Sequence, residues 1–159
     1  MTRGYLLGLC LLLSLFACKS QQSLPAAGSP IPHEVISTGS YSGISAAYDT
    51  VITDDRTWAT FWQELGSNRF PAPEQPAVNF ETHIVLVALM GTQSGGGYTI
   101  SIAGVSSGSQ GVVVEVVKTT PGPDCMTTDA LTQPYCIVSI PRQDTQVSFV
   151  SRTTVTNCK

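Results

Sequence analysis

Two periods run through the hydrophobic pattern of the chain. Trp58, Phe61, Trp62 and Leu65 fall at i, i+3, i+4 and i+7, one apolar stripe on a helix. Asp54 or Asp55 stands where a carboxylate caps a first turn, and Gly66 where a left-handed residue ends a helix. The pattern therefore predicts one main helix over about 55–65. Both tryptophans of the chain lie on its stripe, which suits packing on a sheet better than stacking on a ligand.

Elsewhere the pattern is that of strands. From His33, HEVISTGSYSGI and SAAYDTVI read as two short strands separated by Gly/Ser turns. A Pro-rich loop with Pro71, Pro73 and Pro76 follows the helix. HIVLVALM, residues 83–90, is an unbroken apolar run of strand length and predicts a strand buried on both faces. Tyr98, Ile100 and Ile102 alternate with Thr99, Ser101 and Ala103, as in a half-buried strand. SSGSQG turns the chain, and further strands are predicted over 112–118, 135–140 and 146–155. The expected fold is α+β: six to eight mostly antiparallel strands with the helix packed on one face.

The first residues turn a fold into a location. Arg3 precedes an apolar stretch over 5–16, of secretory-signal length and short for a bilayer span. It ends in Leu15-Phe16-Ala17-Cys18, which resembles a bacterial lipobox. The expected organisation is a lipoprotein signal peptide over 1–17, lipidation at Cys18, a flexible tether over 18–32 and one domain over 33–159. An ordinary signal peptide with an incidental cysteine is the rival reading. Several acyl chains on Cys18 would anchor the protein stably to a membrane without spanning it. The expected location is the bacterial cell envelope. Lys19 after Cys18 points to the outer membrane more than the inner, by the sorting habit of enteric bacteria.

Charge narrows the partners. The net charge of −3 leaves no electrostatic footprint for nucleic acid. Of five cysteines, Cys10 lies in the signal and Cys18 is the lipid site, leaving Cys125, Cys136 and Cys158. Their spacing matches no metal pattern, and outside the cytoplasm a disulfide is permitted. Cys125–Cys158 closes the longer loop, a stabilisation on the order of 3–4 kcal/mol in the chain-entropy account. Cys125–Cys136 is the rival pairing, and three free buried thiols are the alternative to any disulfide.

Catalytic patterns are sparse. His33 and His83 are the only histidines, and the carboxylates are scattered. There is no G-x-S-x-G elbow and no H-E-x-x-H. The stretch GTQSGGGYTI fails as a phosphate loop, which needs a lysine and a following helix. No lysine occurs between Lys19 and Lys118, and Tyr98-Thr99-Ile100 reads as strand. No enzyme activity, metal, cofactor or nucleic acid is expected. The glycines then read either as a hairpin with a bulge or as exposed main chain for a partner, including strand addition at a sheet edge.

The motifs in order resemble a known family. They are Trp58 and Trp62 on the helix, Val78-Asn79-Phe80 before an apolar strand, then GTQSGGGYTI. Cys125 follows in a long loop, then Thr132-Gln133-Pro134-Tyr135 and Ile137-Val138-Ser139-Ile140-Pro141. This is similar to the PrcB-type domain, named for a lipoprotein subunit of a surface protease complex, over roughly 34–158. The resemblance implies a non-catalytic, lipid-anchored module that binds a protein partner, such as a protease it stabilises. It also implies a Cys125–Cys158 pair with Cys136 free. Asn79 stands where relatives commonly have an acidic residue. The candidate partner surface is Gly91, Thr92, Gln93, Ser94, Gly95, Gly96, Gly97 and Tyr98 with Gln133, Pro134 and Tyr135. Two other readings stand beside it. One is a protease inhibitor presenting the 91–98 loop, whose tip is similar to that of chagasin-type inhibitors. The other is an enzyme whose unrecognised site uses His33 or His83.

Overall fold

The structure, a computed structural model, describes residues 28–158. The predicted signal peptide, Cys18 and the tether as far as residue 27 lie outside the described residues.

Among the described residues, eight strands form two four-stranded sheets, and one helix covers one of them. The first sheet has the order β1 (Ser29–Pro30), β5 (Thr99–Gly108), β6 (Gly111–Pro121), β8 (Val147–Thr156). The second has the order β2 (Glu34–Gly39), β7 (Tyr135–Pro141), β4 (His83–Met90), β3 (Ala47–Ile52). All neighbours are antiparallel except β6 and β8, which run parallel. The fold is thus α+β and mainly β, with its strands divided between two sheets.

The layers follow from the pattern of β4. Ile84, Leu86, Ala88 and Met90 enter the core between the sheets, against Ile100, Ile102, Val105, Val112, Val114 and Val116. Val85, Val87 and Leu89 enter a second core, against Trp58, Phe61, Trp62 and Leu65 of α1 (Asp55–Leu65). An unbroken apolar strand is what a sheet covered on both faces requires. Each fully buried aliphatic side chain contributes about 1.5–3 kcal/mol.

The helix starts as expected, with Asp54 Oδ1 accepting from the Thr57 backbone N–H at 2.9 Å. Its end differs. Gly66 is not left-handed, having φ −89°. Glycine is required there because a Cβ would lie 2.8 Å from Pro73 Cδ. The Pro-rich loop straps the helix, and its carbonyls at Pro76 and Pro73 accept from the indole N–H groups of Trp58 and Trp62 at 2.9 and 3.0 Å. The 91–98 connection also differs from a hairpin. It carries the chain from β4 in one sheet to β5 in the other.

Candidate protein-binding surface

The glycine connection is held against the loop between β6 and β7. Gln93 and Thr132 form an isolated antiparallel bridge, with N–H···O distances of 2.7 and 3.2 Å. The Gly96 N–H donates to the Thr128 carbonyl at 2.9 Å, and Thr132 Oγ1 donates to the Gly95 carbonyl at 2.8 Å. Gly91 and Gly97 have φ of 71° and 83°, which favour glycine. Gly95 and Gly96 have ordinary φ but allow close approach. A Cβ on either would lie 2.8 Å from Thr128 O or 2.7 Å from Thr128 Oγ1. The glycines therefore seat one loop on another, with the Gly96 N–H and the Gly95 carbonyl already hydrogen-bonded across the contact.

The loop they seat is pinned at its other end. Cys125 is disulfide-bonded to Cys158, just beyond β8, with Cα atoms 4.9 Å apart. Between these two restraints the loop exposes large apolar side chains: Met126 is 102% exposed and Leu131 60%. Gly96, Gly97, Met126, Thr127, Thr128 and the disulfide line a cleft of about 250 Å³.

The other predicted segment serves the core. The Gln133 N–H donates to the Ser40 carbonyl at 2.8 Å, and the buried Pro134 accepts from the Met90 N–H at 2.9 Å. Tyr135 is 3% exposed. Its hydroxyl meets Ser37 Oγ at 3.2 Å and accepts from Arg69 Nη2 at 3.0 Å, and the guanidinium lies 5.5 Å from the ring centroid. Arg69 also donates to the Tyr41 carbonyl at 2.7 Å, so the tyrosine joins three segments.

Of the eleven predicted contact residues, Thr92, Ser94 and Gly97 are exposed. Gln93, Gly96, Tyr98 and Gln133 are half-buried, and Gly91, Gly95, Pro134 and Tyr135 are buried. Met126 and Leu131, exposed on the adjoining loop, lie outside the predicted set. Their signal was apolar side chains in a polar loop beside a cysteine.

The titratable groups form no catalytic constellation that the described residues reveal. The one ion pair among them joins Arg152 and Glu115, so neither His33 nor His83 is paired with a carboxylate. His83 Nδ1 meets the hydroxyl of its neighbour Thr82 at 2.9 Å. No group of three or more metal-ligating side chains occurs among the described residues. Cys136 is free and buried, and burial pushes its thiol pKa up. Burial likewise raises the Asp49 carboxyl, with Lys118 partly offsetting it.

Comparison with known proteins bears on this architecture. No curated protein and no solved structure matches the chain. One family model does, described as PrcB C-terminal, and it spans residues 84–141. That span takes in the glycine connection and the 122–134 loop, and leaves the tryptophan helix outside. Residues 84–141, from β4 through β7, are thus similar to the PrcB C-terminal family.

Proposed function

We propose that this protein is a non-enzymatic, lipid-anchored module of the bacterial cell envelope that binds a protein partner as an accessory subunit of a surface protease. The observation that carries the reading is the exposure of Met126 and Leu131 on a loop held by a disulfide at one end and the glycine contacts at the other. Large apolar side chains on a restrained backbone lose little conformational entropy when a partner covers them. The PrcB C-terminal match favours an accessory role beside a protease. Cys18 is the anchoring residue in this reading, and the outer membrane its place. The 91–98 segment then supports the contact loop, with Thr92, Ser94 and Gly97 at the margin. An inhibitor that inserts this segment into a protease cleft is less favoured, because Gly95 and Gly96 are already bonded to the neighbouring loop.

The test is crosslinking and co-purification from gently solubilised membranes. The wild type is expected to recover a protease, and a Met126→Ser, Leu131→Ser double variant to lose it while unfolding at the same temperature. Recovery of the protein alone would overturn the proposal.

A further inference from the structure

The two sheets have four edges, and three carry a device that discourages strand addition. The β1 edge is two residues long and contains Pro30, and the part of β5 it leaves uncovered is interrupted by a register shift between Ile102 and Gly104. The register of β2 shifts between Val35 and Ser37. Asp49 of β3 pairs with Ala88, whose side chain enters the inter-sheet core, so a carboxylate is turned inward on that edge. The fourth edge, β8, has none of these. It runs ten residues without proline or lysine, in unbroken register with β6 from Val112↔Val147 to Pro121↔Thr156.

The direction of its free hydrogen-bonding groups follows from the ladder. The Val112 N–H donates to Gln146 O at 2.8 Å, and the Gly122 N–H to Thr156 O at 2.9 Å. In a parallel ladder alternate residues direct both backbone groups to the same neighbour. The even-numbered residues of β8 therefore face β6. Val147, Phe149, Ser151, Thr153 and Val155 direct their N–H and C=O groups away from it. No hydrogen bond from elsewhere among the described residues reaches those groups.

We infer that this edge pairs with the β8 of a second copy of the chain, antiparallel and centred on Ser151. This centre engages all five outward residues symmetrically: Ser151 with Ser151, Phe149 with Thr153, and Val147 with Val155. The side chains suit the arrangement. Val155, 58% exposed, meets the half-buried Val147 of the other copy. On the outer face Val150, 56% exposed, lies opposite Arg152, the only charge in the strand. That arginine is already paired with Glu115 of its own sheet, so like charges are never directly opposed. The result is one continuous sheet across a two-fold axis, the commonest oligomer symmetry. The inference does not rest on the accessory role.

The experiment uses the full chain in mild detergent, with protein mass per particle measured by light scattering. The wild type is expected at twice the chain mass. Ser151→Pro removes an outward N–H, which an edge strand tolerates, and is expected to halve the mass with the unfolding midpoint retained. Val150→Lys sets a second cation against Arg152 of the other copy and is expected to do the same without touching the backbone. Ser151→Cys is expected to give an intermolecular disulfide under mild oxidation, since the axis puts the two Cα atoms roughly 5.5 Å apart. A wild-type monomer overturns the inference. So does a dimer that survives both Ser151→Pro and Val150→Lys, or one that Ser151→Cys fails to crosslink.

Discussion

A Cβ built on Gly95 would lie 2.8 Å from the Thr128 carbonyl oxygen, closer than real Cβ atoms approach a backbone. The opposing atom is main chain, in a loop also fixed by the Gln93–Thr132 bridge, so it has little freedom to retreat.

Gly95→Ala is therefore expected to destabilise the fold by about 1–3 kcal/mol, as overpacking does. Ser94→Ala, beside it and exposed, is the control and should be near neutral. Urea unfolding followed by tryptophan fluorescence measures both. Wild-type stability for Gly95→Ala would mean that the two loops are not in contact. Partner recovery measured on the same variant, under conditions where it is folded, separates a binding role from a packing role.

Removing the Cys125–Cys158 pair, by Cys125→Ser with Cys158→Ser, is expected to cost about 3–4 kcal/mol, the loop-closure value for a 33-residue separation. Reducing the wild type should reproduce the loss. Alkylation followed by peptide mapping should leave the buried Cys136 unmodified in the native protein and modified after unfolding.

Trp58→Ala should be among the most damaging substitutions. The side chain is 0% exposed, fills the helix–sheet core, and satisfies the Pro76 carbonyl through its indole N–H. A loss of about 3–5 kcal/mol is expected, read as a lower urea midpoint with an unchanged slope. A loss below about 1 kcal/mol would contradict the packing described.

Asp49 predicts a pH dependence. Its Oδ1 is buried with no hydrogen-bond partner, and burial raises the carboxyl above its ordinary value. The native state then holds this proton more tightly than the unfolded chain does. Stability falls as pH rises from the ordinary carboxylate range through the folded-state value, and the penalty is full above it. Asp49→Asn is expected to melt higher than wild type at neutral pH. The difference should shrink as the pH falls below the ordinary carboxylate range. An equal difference at both pH values would rule out titration of Asp49 as its source.

Much of the fold was legible locally. The stripe of Trp58, Phe61, Trp62 and Leu65 marked the helix and the face it buries, because helical period and burial are the same signal there. The unbroken run of β4 marked a strand between two covering layers. The family motifs pointed to roughly 34–158, of which the family model matches 84–141 and leaves out the tryptophan helix.

The candidate surface was less legible. Gly66 and Tyr135 show why. A glycine at a helix end signals a left-handed cap, yet the space claimed by Pro73 makes this one necessary. An aromatic residue at the end of a loop motif signals recognition, yet Tyr135 is buried where Ser37 and Arg69 close on its hydroxyl.

The chain by itself determined the elements and the faces they bury, since period, capping and turn chemistry act between near neighbours. Only the tertiary structure decided that the strands divide into two sheets, that β8 runs parallel to β6, and that the glycines seat one loop on another. Those outcomes depend on contacts between segments far apart in the chain. Their free energy comes from shared burial and close approach, and no single stretch of sequence carries either.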